Sequence, residues 1–186
     1  MDHPADIGPS PVEDDSSDGE PPPRLSLEIV VERGDWPPEE EIERLVGEVA
    51  GALEREPVVA CCLGPAATAC IAFAGDADVR VLNKRYRAKD KPTNVLSFPA
   101  PPSPGAARDG EPRNLGDVVL AAETVAAEAR EAGTPFAHHL QHLVLHGVLH
   151  LLGHDHETDG EAEAMEALET RILATLGVAD PYRSNE

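Results

Sequence analysis

The chain predicts an α+β fold, a small mixed β-sheet packed with about five helices, and three observations carry that expectation. Strand-length runs of alternating apolar and polar residues are separated by longer stretches with helical period. Prolines and glycines fall at the joints between them, and no segment repeats another. With 186 residues and 41% hydrophobic side chains there is material for one core of ordinary size.

The elements follow in order. Residues 1 to 23 hold seven acidic residues among prolines, serines and glycines with almost nothing to bury, so 1–24 is expected to be a disordered acidic tail ahead of a folded domain over 25–183. Leu25 to Glu32 alternates in the period of a half-buried strand, and Pro37 to Glu56 reads as an acidic amphipathic helix beginning near Asp35. Thr68 to Ala74 is a second strand, and Asp76 to Ala88 a helix that stops before Pro92. Asn94 to Phe98 is a third strand bounded by Pro92 and Pro99, after which Pro101 to Pro112 reads as a flexible loop. Gly116 to Leu120 is a short strand, Ala122 to Ala132 a helix closed by Gly133, and Pro135 to Leu152 a long apolar helix. Glu161 to Leu176 forms the last helix, packing through Met165, Leu168, Ile172 and Leu176.

Composition narrows the function. A formal charge of −20 repels phosphate backbones and argues against generic nucleic-acid binding, so any polyanionic ligand has to meet a local exception. Three cysteines, Cys61, Cys62 and Cys70, are odd in number and two are adjacent, which speaks against a secreted disulfide framework. Neither a run of 18 apolar residues nor a cationic-then-apolar leader is visible, so a cytoplasmic location without a membrane partner is expected.

The run His146-Gly-Val-Leu-His150-Leu-Leu-Gly-His154-Asp-His156 carries the chemistry. On a helix, His146 and His150 stand four residues apart on one face, where two imidazole nitrogens can bind one metal ion. Gly153 can end that helix in a left-handed turn and bring the chain back so that His156 supplies a third nitrogen; spacing alone leaves His154 as a rival. Three protein ligands leave an open position on zinc, the arrangement of catalytic sites, where a bound water is acidified and a phosphoryl group polarised. Seven of the eight histidines lie between His138 and His156, yet the interleaved Leu140, Leu143, Val144, Leu145, Val148, Leu149, Leu151 and Leu152 are too apolar for a solvated metal-scavenging tract. Imidazoles buried in such a segment need partners. His142 shares the His146/His150 face but lies too far along the axis from His150 to join both, about 12 Å at ~1.5 Å per residue, and reads as a supporting or packing residue.

The local exception in charge is also visible. Lys84, Arg85, Arg87, Lys89 and Lys91 place five of the 15 basic residues within eight positions at a helix-to-strand junction. Arg87 is the first choice for holding a phosphate, because a planar guanidinium donates two parallel hydrogen bonds and stabilises charge building on it. Arg85, Lys89 and Lys91 are the accompanying candidates for substrate binding. A helix end whose cations merely offset the macrodipole would show the same charges.

The run Tyr86 to Phe98 (YRAKDKPTNVLSF), then Leu115, Gly116 and Asp117, then His146 to His156 (HGVLHLLGHDH), resembles the YbeY family of single-domain metal-dependent endoribonucleases over roughly residues 25 to 183. The resemblance implies a zincin-like metallohydrolase architecture and a single-strand-specific, zinc-dependent endoribonuclease with one Zn2+ ion. It implies action in ribosomal RNA maturation, at the 3′ end of the small-subunit (16S) RNA, and in ribosome quality control. The implied partners are ribosomal RNA and the ribosome, with ribosomal or assembly proteins, and not DNA. It matches His146, His150 and His156 to the three metal ligands and Arg87 to the arginine needed for activity, and it favours His156 over His154, whose position is more often aromatic. The acidic tail and the proline-rich loop lie outside the shared pattern.

Two other readings stand beside this one. The spacing H-x3-H-x2-G-x2-H is that of metzincin zinc proteases, but their general base, a glutamate directly after the first histidine, is replaced by Gly147. A ribosome assembly factor without catalysis would keep the metal as a structural element and use the basic strip only to bind RNA. For the base, the sequence leaves metal hydroxide, Asp155 and a substrate 2′-hydroxyl open.

Overall fold

A computed structural model of the chain describes residues 23–101, 111–156 and 158–183. Nearly all of the expected tail and the greater part of the expected 101–112 loop lie outside the described residues.

Four strands form one mixed sheet in the order β1-β2-β4-β3, with β1 (Leu25–Val31), β2 (Ala67–Ala74), β3 (Val95–Pro99) and β4 (Arg113–Ala121). The first two pairings are parallel and β3 runs antiparallel along β4 at the far edge. In β2 burial alternates residue by residue, so Ala69, Ile71 and Phe73 point into the main core. Helices α1 (Glu39–Arg55), α5 (Phe136–Leu151) and α6 (Asp159–Thr175) cover that face through Ile42, Val49, Leu53, Leu140, Val144, Leu149, Leu168 and Ile172. On the other face α3 (Asp76–Arg87) buries Val79 against Leu96, Val119 and Ala121 in a smaller cluster. Helix α4 (Ala122–Ala132) packs beside α5. Its start is joined to that of α3 by exchanged caps: Asp76 accepts from the Thr124 backbone N–H at 3.0 Å, and Glu123 accepts from the Asp76 N–H at 2.8 Å.

The described residues contain six helices. The additional one, α2 (Pro57–Leu63), follows a break at the extended Glu56 and starts with Pro57 in its first turn, where the missing N–H costs nothing. Several ends also differ from expectation, among them that of α1, which begins at Glu39 and not at Pro37. Thr158 and Glu161 form a reciprocal capping box, so α6 begins at Asp159 and not at Glu161. Strand β4 begins at Arg113, three residues before Gly116.

Two glycines fix how the site is assembled. Gly116 has φ +121°, and a Cβ there would lie 2.2 Å from the Phe98 carbonyl oxygen, so only glycine lets β3 close onto β4. Gly147 lies where α5 crosses the sheet, and a Cβ there would lie 2.5 Å from Val118 Cγ1. Ser97 of β3 donates its hydroxyl to the Gly147 carbonyl at 3.2 Å, tying the edge strand to the histidine-bearing helix. Gly147→Ala is therefore expected to destabilise the protein by about 1–2 kcal/mol despite alanine's better helix propensity, because overpacking against the fully buried Val118 outweighs it. Urea denaturation of the two proteins measures the difference.

Candidate metal centre and cleft

Helix α5 presents His146 and His150 half-buried on one face, and the chain leaves the helix through Gly153 at φ +93°. That turn, closed by the His154 N–H donating to the Leu149 carbonyl at 3.0 Å, carries His156 back over the same face. One ligand nitrogen each of His146, His150 and His156 lies within 4.8 Å of the others. The rings of His150 stand 4.5 Å from His146 and 4.9 Å from His156, centroid to centroid. The structure thus brings together the three histidines selected from the sequence, whereas His154 lines the neighbouring wall and is in neither group of converging ligands among the described residues.

The donor set suits a cation. A ring nitrogen of His146, Nδ1, lies 2.8 Å from Glu169 Oε1, and a carboxylate accepts only, so the proton of a neutral ring resides there and Nε2 carries a lone pair. That lone pair faces Nε2 of His150 at 3.0 Å. Two nitrogens about 2.0–2.1 Å from one tetrahedral zinc stand roughly 3.3 Å apart, close to this spacing. Burial first, then the neighbouring His146 and His156, hold the His150 imidazole below the ordinary histidine range, which keeps it neutral and available as a ligand at pH 7.

Glu169 belongs to the candidate site and was missed by the sequence reading. It projects from α6 and is fully buried. Burial alone would raise its carboxyl, but hydrogen bonds from His142, His146 and Tyr182 outweigh that and hold it at about 2. Tyr182 in turn is pushed up by burial and by the carboxylate it serves. His142 accordingly takes the supporting place expected for it, 3.3 Å from Glu169 and 3.3 Å from the Tyr182 hydroxyl. A second converging group, His142, His146 and Glu169, is this hydrogen-bonded layer beneath the cleft. One signal was available: Met165, Leu168, Glu169 and Ile172 share a helical face, and a carboxylate inside an apolar stripe needs a partner.

Glu169→Gln is expected to weaken metal affinity about 10- to 100-fold, because the amide no longer orients His146 as a charged acceptor. Competition against a chromogenic chelator measures it. The same variant tests a pH effect. A carboxyl held near 2 in the folded state, against an ordinary value of 4.5, contributes stability that is complete above pH 4.5 and lost as pH falls toward 2. The acid limb of a stability curve recorded without metal should be shallower in Glu169→Gln.

The histidines form part of a cleft of about 740 Å3. Arg87, Lys89 and Lys91 line the same cleft, together with Thr93, Asn94 and Ser97. Helix α3 ends at Ala88, whose left-handed conformation (φ 58°) turns the chain so that the following lysines reach the cleft. Buried Asn83 holds that turn, donating from Nδ2 to the Lys91 carbonyl at 2.7 Å. Lys84 is engaged elsewhere, with Asp90 at 2.7 Å, and Arg80 shares the same carboxylate at 2.8 Å. Arg85 does not line the cleft; its guanidinium lies 5.2 Å from the Tyr86 ring centroid. Asp155, also in the wall, accepts from the His156 N–H at 2.8 Å.

Fold and site together define a class: a mixed-sheet α+β domain in which one helix and the turn after it offer three imidazoles to a cationic cleft. The chain belongs to the YbeY family, whose model, described as Endoribonuclease YbeY, matches residues 34–177. Proteins named Endoribonuclease YbeY from Chelativorans sp. (strain BNC1) and Rhizobium meliloti (strain 1021) are each 50% identical to it, covering 86% and 85% of this chain and 94% and 95% of their own. The solution structure of TM1509 from Thermotoga maritima shares the fold at 20% identity and a TM-score of 0.50, over 85% of this chain and 99% of that one. Among the described residues no helix is long and apolar enough to cross a membrane.

Proposed function

We propose that the chain is a metal-dependent endoribonuclease that cuts single-stranded ribosomal RNA, with His146, His150 and His156 holding one zinc ion and Arg87 holding the scissile phosphate. One observation carries the reading: three converging imidazoles and Arg87, Lys89 and Lys91 of the cationic strip line one cleft of a strongly acidic chain. Kinship with proteins named as endoribonucleases supports the reaction class. The resemblance of the motifs extends it to maturation of the small-subunit RNA 3′ end in the cytoplasm, with the ribosome as partner.

When bound, the ion would supply Lewis-acid polarisation and a water of lowered pKa. Arg87 would hold two phosphate oxygens through its fork and offset the charge that builds on them. Lys89 and Lys91 extend the same field along the strand. Asp155 is the one carboxylate among the described cleft-lining residues, and it would stand beside metal hydroxide and a substrate 2′-hydroxyl as a candidate base. The protease alternative lacks its base for a packing reason, since no side chain fits at Gly147 against Val118.

The test uses the purified protein and a precursor of the small-subunit RNA. Cleavage in single-stranded segments, stopped by chelation and restored by zinc, is the expected result. RNA binding with no cleavage under any metal would establish the assembly-factor reading, and chelator-sensitive digestion of casein would establish the protease.

A further inference from the structure

We propose that Tyr86, backed by Phe98 and flanked by Arg85, is a stacking subsite for one unpaired base of an RNA strand whose phosphates run along the cationic strip into the cleft. The inference rests on the function proposed above and names a part of the substrate that the cleft does not account for.

Tyr86 lies in the last turn of α3, one residue before Arg87 of the cleft wall, and is 55% exposed. The sequence contains three Phe, two Tyr and one Trp, and Tyr86 is more exposed than Tyr182, the other exposed aromatic among the described residues, at 39%. Trp36 packs edge-on to Phe73 and beside Phe136, and Tyr182 is tied to Glu169. Tyr86 meets the Phe98 ring at 5.1 Å and 66°, an edge contact that fixes its orientation and leaves much of the residue to solvent. A ring already held in place loses little side-chain freedom when a base stacks on it. Arg85 lies over one face of that ring at 5.2 Å, so a base stacked on the other face would complete a sandwich of cation, ring and base.

The surrounding charge selects an anionic strand. Asp90, the nearest carboxylate in sequence, is neutralised by Arg80 and Lys84 and leaves the fields of Arg85 and Arg87 largely uncancelled. Asp117 pairs directly with Phe98 and shares its α3-side face of the sheet, so a carboxylate bounds the platform on the β4 side and favours a strand that keeps its phosphates on the side of Arg85 and Arg87. An unpaired base exposes its π-face to such a platform, whereas a duplex hides it inside the stack. The site therefore contributes affinity for a single strand with little dependence on base identity.

The experiment measures anisotropy of a short labelled oligoribonucleotide carrying uncleavable phosphorothioate and 2′-O-methyl linkages, bound to the metal-loaded protein. Tyr86→Leu, which still covers Phe98 but has no π-face, is expected to weaken binding about 5- to 100-fold, and Tyr86→Phe to bind within about 2-fold of wild type. An abasic residue moved along the oligonucleotide should weaken wild-type binding by a similar factor at one position and have no further effect there on Tyr86→Leu. A flat abasic scan on wild type, or equal affinity of the leucine variant, overturns the subsite, and the scan decides even if that variant does not fold. Failure of the wild type to bind any RNA would instead overturn the proposed function.

Discussion

His150→Ala is expected to leave purification without metal and to show RNA cleavage at the level of the chelated wild type, while His154→Ala retains both. The contrast follows from geometry. His150 is the central ligand candidate, with the ring centroids of His146 and His156 at 4.5 and 4.9 Å from its own, and its Nε2 lies 3.0 Å from that of His146. An alanine there leaves two nitrogens, and a two-ligand site on an exposed turn cannot compete for zinc with buffer and water. His154, two residues before His156, spends its backbone N–H on closing the helix end and keeps its ring out of the converging group. Elemental analysis of the three proteins reads the outcome directly. Metal retained by His150→Ala, or lost from His154→Ala, would mean that the ion is held by a different set. Because Glu169 and its partners remain in place below, the His150 variant should still fold, and near-UV circular dichroism should show it.

Most of the architecture was legible because the physics that specifies it is local. β2 alternates perfectly enough between faces for its period to show, and α4 is closed by a glycine that adopts the left-handed conformation its position requires. The helix α2 was not legible. Its sequence, PVVACCL, is short and rich in residues that favour strands, and it is helical because Pro57 starts a turn and Arg24, just before β1, donates to the carbonyl of Ala60 within it and to that of Gly64 at its end. That contact spans about forty residues, beyond the reach of any local pattern. The site divides in the same way. Imidazoles at a four-residue spacing in an apolar helix have few structural uses, so His146 and His150 were readable from the sequence. Charge counting found the cationic strip but could not sort it, because which cations face the histidines depends on where α3 stops. The left-handed turn at Ala88 sends Lys89 and Lys91 into the cleft and leaves Arg85 on Tyr86. Glu169 was hidden for another reason: its meaning arises only when α6 lies against α5 and sets the carboxylate under His146.

Arg87→Glu is expected to lower the rate of RNA cleavage by at least about 10²–10³-fold with metal content and melting temperature unchanged, as for loss of one preorganised donor to a developing charge. The second half of that statement is as informative as the first. Arg87 is exposed at the end of α3 and forms no ion pair among the described residues, so nothing in the fold depends on its guanidinium. Its removal should therefore separate chemistry from stability in a way that no histidine variant can. Arg87→Lys refines the test, because lysine keeps the charge but presents a point instead of a fork. If the role is bidentate grip on the phosphate, the lysine variant falls between wild type and glutamate in kcat. If Arg87 contributes only to the field that draws RNA in, the lysine variant matches wild type, and the glutamate variant loses affinity for RNA while its single-turnover rate at saturating RNA is preserved. Salt dependence gives an independent reading of the same choice. A purely electrostatic contact makes the slope of log K against log salt shallower by about one phosphate when the arginine is lost, whereas a residue acting mainly on the transition state changes kcat at every salt concentration.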